Sequence, residues 1–296
     1  MTPPPATPPP KPAWLSRRRL LTGAGFVGVT GAVGAAYTRL LEPRRLEVTH
    51  RTAPLGHANA APVKILHLSD LHASGCVPIE FIAHAIELGL AEKPDLVCLT
   101  GDFITKHFTR FADYADVLKP LAAAAPTFAC LGNHDGGKWA ARPIYGGYPD
   151  HAAVRKCLTA SGAKVLLNQS HELTLRGRKL RIVGVGDLWS DEQRPVEAFG
   201  TVASDAETGV IALMHNPDGK EQLAAFPWHL ALCGHTHGGQ LRLPWLGTPF
   251  APVRDHRYVE GLHRWRDRWL HITRGVGNLH GVRFNCRPEV SLLTLT

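Results

Sequence analysis

Five short stretches of this chain carry residue types that hold metal ions. They are Asp70-Leu71-His72, Gly101-Asp102, Gly132-Asn133-His134-Asp135, His215-Asn216 and Gly234-His235-Thr236-His237. Carboxylate, amide oxygen and imidazole in one donor set suit borderline divalent ions such as Mn, Fe and Zn. Two residues apart on extended chain, Asp70 and His72 point to one side and can share an ion, as can His235 and His237. A carboxylate shared by two ions is the arrangement of two-metal hydrolases. Glycines before Asp102, Asn133 and His235 let the backbone turn sharply beside such ions. The chain has 17 histidines, more than packing needs, and histidine is the commonest metal ligand.

Each stretch follows an apolar run, VKILHLS, LVCLT, TFACL, VIALM or LALC, that reads as a buried strand. Strands are predicted over 63–68, 96–99, 127–131, 210–214 and 230–233, and helices over 78–90, 111–124 and 151–161. Pro78 suits a first helical turn, and Ile79, Ile82, Ile86 and Leu90 keep helical spacing. This alternation predicts an α/β fold, and ligands gather at the carboxyl ends of its strands. Arg176-Gly177-Arg178-Lys179 reads as a hairpin turn, and further strands follow it, so two sheets are expected rather than one. Residues 47–296 are expected to form one catalytic domain.

In this order, over 63–240, the stretches match the series D-x-H, GD, GNH[DE], H and GH-x-H, and the chain resembles the calcineurin-like metallophosphoesterase superfamily. Leu40-Leu41-Glu42-Pro43 and Pro288-Glu289 resemble, more narrowly, its bacterial YaeI/YkuE-like branch. The resemblance implies a four-layer sandwich of two mixed β-sheets flanked by helices, two divalent ions (Mn, Fe, Zn or Mg) and hydrolysis of phosphate esters. It implies that Asp70, His72, Asp102 and His237 hold the first ion. Asp102, Asn133, His215 and His235 would hold the second, with Asp102 bridging. It further implies that His134 contacts the scissile phosphate and protonates the leaving group, and that Asp135 orients that imidazole. A hydroxide between the ions would be the nucleophile, so no Ser or Cys is required.

The N-terminal 46 residues read differently. Residues 3–12 are mostly proline and suit an extended lead-in. Ser16-Arg17-Arg18-Arg19-Leu20-Leu21 opens an uncharged, Gly/Ala-rich run to Tyr37 and resembles a twin-arginine export signal. Its 18 residues approach the roughly 20 that span a bilayer, so it could remain as an uncleaved anchor, although its glycines make it only weakly hydrophobic and favour the twin-arginine reading. The expectation is a cell-envelope protein, held in the inner membrane or exported to the periplasm by the twin-arginine translocase. Of the net charge of +8, residues 1–50 hold +5, so most of the basic excess lies outside the body. That argues against a nuclease, which needs a dense basic surface. Cys98, Cys130 and Cys233 fall within predicted strands, so free, buried thiols are expected.

Arg274, His280 and Arg283 lie in a Gly-rich basic stretch that could cradle phosphate or diphosphate; a solvated sheet edge is the alternative. Trp139 and Trp245 are candidates to wall the cleft, His67 reads as a core residue, and Asp187 as a turn or support residue. The leading expectation is a monomeric phosphodiesterase or pyrophosphatase, and its sharper form is a UDP-2,3-diacylglucosamine diphosphatase of lipid A biosynthesis. A non-catalytic scaffold is disfavoured because every ligand position and His134 are kept.

Overall fold

The computed structural model describes Thr2, Pro4 and residues 31–55, 61–200 and 207–296. The expected proline-rich lead, the twin-arginine motif and most of the apolar run lie outside the described residues. Residues 31–44 are helical, with a π turn at Tyr37–Leu41 and a tighter turn at Glu42–Arg44. Among the described residues, no helix is long and apolar enough to cross a membrane.

The body begins with strands β1 (Glu47–Ala53) and β2 (Val63–Leu68), helix α1 (Ile79–Ala91), β3 (Leu96–Thr100), α2 (Phe111–Ala124) and β4 (Thr127–Cys130). Short helices α3 (Gly137–Ala140) and α4 (Ala152–Ala160) lead to β5 (Lys164–Val165), then the hairpin β6 (Gln169–Leu175) and β7 (Arg178–Gly184). Helix α5 (Pro195–Phe199), β8 (Gly209–Leu213), β9 (Leu230–Cys233), β10 (Gly261–Trp265), β11 (Arg268–Ile272) and β12 (Glu289–Leu295) complete the chain. Two mixed six-stranded sheets result, in the orders β1-β12-β2-β3-β4-β5 and β10-β11-β9-β8-β7-β6. β2 to β5 run parallel in the first, and β7, β8, β9 and β11 run parallel in the second.

Two-residue alternation decides which side chains meet. Ile65, Leu96, Cys98, Phe128 and Cys130 turn toward Ile182, Ile211, Leu213, Leu230 and Leu232 to fill the space between the sheets. Their neighbours Leu66, Leu68, Val97, Leu99 and Ala129 face the other way, onto Ile79, Ile82 and Ile86 of α1 and Leu118 and Leu121 of α2. Gly89 lets α1 press onto Leu66, whose Cδ1 would lie 2.6 Å from any Cβ there. On the far face of the second sheet, Val210, Ala212, Met214 and Cys233 pack with Phe199, Leu223 and Trp228. The central strands are thus buried on both faces, and the expected four layers are present. All six cysteines are free, as expected, and five are buried.

Candidate metal centre and cavity

Parallel strands with a common direction bring their carboxyl ends to one end of the sandwich. Asp70 and His72 follow β2, Asp102 follows β3, Asn133 follows β4, His215 follows β8, and His235 and His237 follow β9. All seven side chains are buried. Asp70, His72, Asp102, His235 and His237 adopt left-handed backbone with φ between 48° and 69°, which ends each strand and turns the side chain inward. Backbone bonds lock the turns together: Asp70 N–H donates to Gly101 O and His72 N–H to Asp102 O, both at 2.9 Å.

Two donor clusters form. Asp70, His72 and His237 make one, and Asp102, His215 and His235 the other. In the first, the Nε2 atoms of His72 and His237 are 3.1 Å apart, with Asp70 Oδ1 3.9 and 3.4 Å from them. In the second, His235 Nδ1 lies 3.2 Å from His215 Nε2. Asp102 joins them, its Oδ2 being 3.5 Å from His72 Nε2 and 3.1 Å from His215 Nε2. The partners behind the rings fix which nitrogen faces inward. His215 Nδ1 bonds Thr100 O at 2.7 Å and His72 Nδ1 bonds Thr105 Oγ1 at 2.8 Å, leaving each Nε2 toward the clusters.

The electrostatics suit divalent cations. Burial pushes Asp70 up to about 6 and His72 down to about 3, and it holds His235 and His237 well below the usual imidazole range. Burial also pushes Asp102 up, but His215, His134 and His72 outweigh it and hold the carboxyl well below its ordinary value. Burial lowers His215, yet Asp102 beside it, helped by Asp70 and Asp187, raises it to about 10. Protein alone satisfies this cluster only with a buried Asp102–His215 ion pair and several imidazole nitrogens facing one another. Asn133 Oδ1, buried in the same place, has no hydrogen-bond partner at all. An acceptor oxygen without a donor, beside converging lone pairs, is what a bound cation would satisfy.

A cavity of about 670 Å³ opens beside the clusters, lined near them by Asp102, Asn133, His134, His235 and His237. The His134 ring sits edge-on to His72 and Trp139, with centroids 5.0 and 4.6 Å away. Burial lowers its pKa, Asp102 opposes this, and His215 and His280 reinforce it. Trp139 stacks on Tyr145 at 3.6 Å, and Trp189 stands edge-on to His235 at 4.2 Å.

Three of the expected site residues take other places. Asp135 does not serve the His134 ring, because its carboxylate is spent on backbone: Oδ2 accepts from Asp102 N–H and Gly132 N–H, both at 2.8 Å, and Oδ1 from Phe103 N–H at 2.7 Å. It ties the third stretch to the second and so positions Asp102. Arg283 is fully buried, and its guanidinium donates to the carbonyls of His237, Arg274, Gly275, Gly277 and Cys286. Arg274 lies among Glu47, Glu260 and Glu289, at 2.7, 3.8 and 3.6 Å. Neither arginine lines the cavity; of that trio only His280 does. Trp139 walls the cavity, whereas Trp245 is fully exposed outside it. His67 is a core residue bonded to Thr100 Oγ1 and His271, and Asp187 caps a turn through Ser190 N–H. That turn places Trp189, which the strand-end rule could have found, since it stands five residues beyond β7. Thr105, Lys106 and Tyr145 also line the cavity and carry no signal in the sequence.

A two-sheet sandwich with two His/carboxylate clusters at its strand ends defines a metallophosphoesterase. The chain matches the calcineurin-like phosphoesterase family over residues 63–239 and belongs to it. It is a metal-dependent phosphoric ester hydrolase, and its family works with two divalent metals. It is 44% identical to phosphodiesterase YaeI of Escherichia coli over 282 residues, 95% of this chain and 99% of that one. Identity to the YkuE metallophosphoesterase of Bacillus subtilis is 31%, over 95% and 98% of the two chains. Identity to the UDP-2,3-diacylglucosamine pyrophosphatase LpxG of Chlamydia trachomatis is 28%, over 86% and 90%.

Proposed function

We propose that this protein is a dinuclear phosphodiesterase of the bacterial cell envelope. The observation that carries the reading is Asp102, whose one carboxylate oxygen faces a donor cluster on either side. Asp70, His72, His237 and Asp102 would hold one ion, and Asp102, Asn133, His215 and His235 would hold the other. Such a pair, when bound, would supply an activated water and charge neutralisation at the phosphoryl oxygens. His134, which lines the cavity and stands outside both donor clusters, would face the ester. The negative charge of a bound phosphoester favours the imidazolium, so the ring can hold a proton and release it to the leaving oxygen. Asp135 keeps Asp102 and the His134 loop in register through its three backbone bonds. Trp139, Tyr145 and Trp189 keep water from the reacting group.

The motif at Ser16–Leu21 supports export by the twin-arginine translocase or retention by an uncleaved inner-membrane anchor. Protease protection of the catalytic domain in intact spheroplasts separates export from an anchor that leaves the domain in the cytoplasm. A second reading, diphosphate cleavage in a nucleotide-linked diacylglucosamine, draws support from the LpxG relative and from the apolar outer cavity, where Ile144, Leu241, Phe250, Pro252, Leu279 and Val282 gather. It requires a cytoplasmic active site.

The test is a metal-supplemented panel on the purified protein. Its substrates are bis-p-nitrophenyl phosphate, p-nitrophenyl phosphate, UDP-diacylglucosamine and single-stranded DNA. The soluble diester is expected to turn over faster than the monoester, and Asn133→Ala and His134→Ala are each expected to lower kcat about 10²-fold or more. Unchanged kcat in both variants would refute the mechanism.

A further inference from the structure

The mouth of the cavity is apolar and continues onto the outer surface. Ile144 and Phe250 line the cavity, yet they are 80% and 67% exposed. Between Leu241 and Phe250 the chain makes a tight hairpin, closed by Leu243 N–H to Gly247 O and Gly247 N–H to Leu243 O at 2.8 and 2.9 Å. Its tip carries Trp245, 102% exposed with φ +63°, and Leu246, 72% exposed. A large indole held out on strained backbone is a costly way to end a hairpin in water, and exposed contiguous apolar surface marks an interaction site.

The same rim meets the N-terminal helix. Phe284 N–H donates to Gln240 O and Arg242 N–H to Phe284 O, which stitches the loop 278–287 to the base of the hairpin. That loop is held in turn by the helix: Arg283 N–H donates to Thr38 O at 3.0 Å, Arg39 Nη1 to His280 O at 3.3 Å and Cys286 N–H to the buried Glu42 carboxylate at 2.5 Å. Leu279 and Val282, which line the cavity, stand on this loop, and exposed Leu40 and Leu41 stand on the adjoining helical turn. The described helix that starts at residue 31 therefore joins the body beside the cavity mouth, through Thr38 and Arg39.

Charge gives the rim its sign. The three segments that build it, 139–149, 240–254 and 278–287, hold Arg142, Arg242, Arg254, Arg283 and Arg287 and no Asp or Glu, with Asp150 and Asp255 directly after two of them and Glu260 paired to Arg242, and Arg39 and Lys106 add to the cations beside it. Aromatic side chains beside an excess of cations suit the interface of an anionic membrane.

We infer that the cavity rim docks on an anionic lipid bilayer, with Trp245 and Leu246 entering the interface. The cavity then opens at the lipid surface, and a phosphoester embedded there reaches the strand ends without crossing water. This rests on the cavity being the substrate entrance in the hydrolytic reading above.

The test uses the full chain with vesicles of phosphatidylcholine, alone or mixed with phosphatidylglycerol, carrying brominated acyl chains that quench nearby tryptophan. Wild-type emission is expected to be quenched more strongly than that of Trp245→Phe, and more in the anionic vesicles. The double variant Trp245→Ser/Leu246→Ser, altered only at exposed tip positions, is expected to partition about tenfold more weakly. Its turnover of soluble bis-p-nitrophenyl phosphate should stay at the wild-type rate. Equal quenching in wild type and Trp245→Phe, or equal partitioning of the double variant, overturns the inference. So does a dimer in sedimentation that the double variant breaks while quenching is absent, because the rim would then cover a second copy. Loss of diester turnover in every protein would sink the hydrolytic reading and leave the quenching result to decide docking by itself.

Discussion

Replacing Gly132 by alanine tests whether Asp102 is the fixed centre of the site. Gly132 has ordinary backbone, so the added methyl acts through contact alone. Its Cβ would overlap Asp102 Oδ1 and lie 2.5 Å from Asp102 N and 2.9 Å from Asp102 Cγ, where ordinary contact begins at 3.4 Å. One side must therefore yield by roughly 0.9 Å. Asp102 cannot move alone. Its N–H is held by Asp135, its carbonyl by His72 N–H, and its Oδ1 by His134 N–H at 2.8 Å. Overpacking of this kind costs about 1–3 kcal/mol, which for a chain of this size lowers Tm by about 2–10 °C. A misplacement near 1 Å in a catalytic constellation costs about 10²-fold in rate. The assay is kcat/KM on bis-p-nitrophenyl phosphate at saturating Mn, with calorimetric metal titration and thermal melts alongside. Gly75→Ala is the control, since nothing lies within 4 Å of a Cβ there. Gly132→Ala with kcat/KM within about threefold of wild type, at unchanged Tm, would refute the reasoning.

Other perturbations probe the supports. Arg283→Met leaves five carbonyls without their buried donor and should lower stability by about 3–5 kcal/mol in denaturant unfolding, with activity falling too because His237 O is among them. His271, paired with His67 between the sheets, is pushed by burial down to about 4. Its folded value lies below its unfolded one, so the stability of the neutral pair is complete above pH 6.5 and lost as pH falls toward 4, by up to about 3 kcal/mol. His271→Gln should flatten that acid limb in urea melts. His151 behaves oppositely: burial lowers it, but Glu192 at 2.8 Å outweighs burial and raises its pKa. Its contribution is complete below pH 6.5 and lost as pH rises through the folded value, so the Tm deficit of His151→Gln should be larger at pH 6 than at pH 9.

The strand positions are legible because strands buried on both faces leave unbroken apolar runs. The predicted strands at 63–68 and 230–233 match β2 and β9, and the helix at 111–124 matches α2. The ligand types at the strand ends were legible for the same reason, since a strand end is where such residues can converge. β1 was not, because Glu47–Ala53 is a half-exposed edge strand whose pairing comes from β12 at the other end of the chain. Asp135 misled by adjacency. Consecutive residues on a tight turn point apart, and its true partners belong to two loops. Arg274 misled by composition, since the carboxylates that claim it come from β1, β12 and the turn before β10. Nothing local in a sequence tells an arginine facing a ligand from one facing three glutamates.

The left-handed turns at Asp70, His72, Asp102, His235 and His237 bear on how this protein can change. Each non-glycine residue there costs about 1 kcal/mol of folding free energy that glycine would not. The sequence that folds best on this backbone is therefore not the one that binds metal. Selection for thermal tolerance alone would erode these five positions first, and a descendant freed from its chemistry should be the more stable protein.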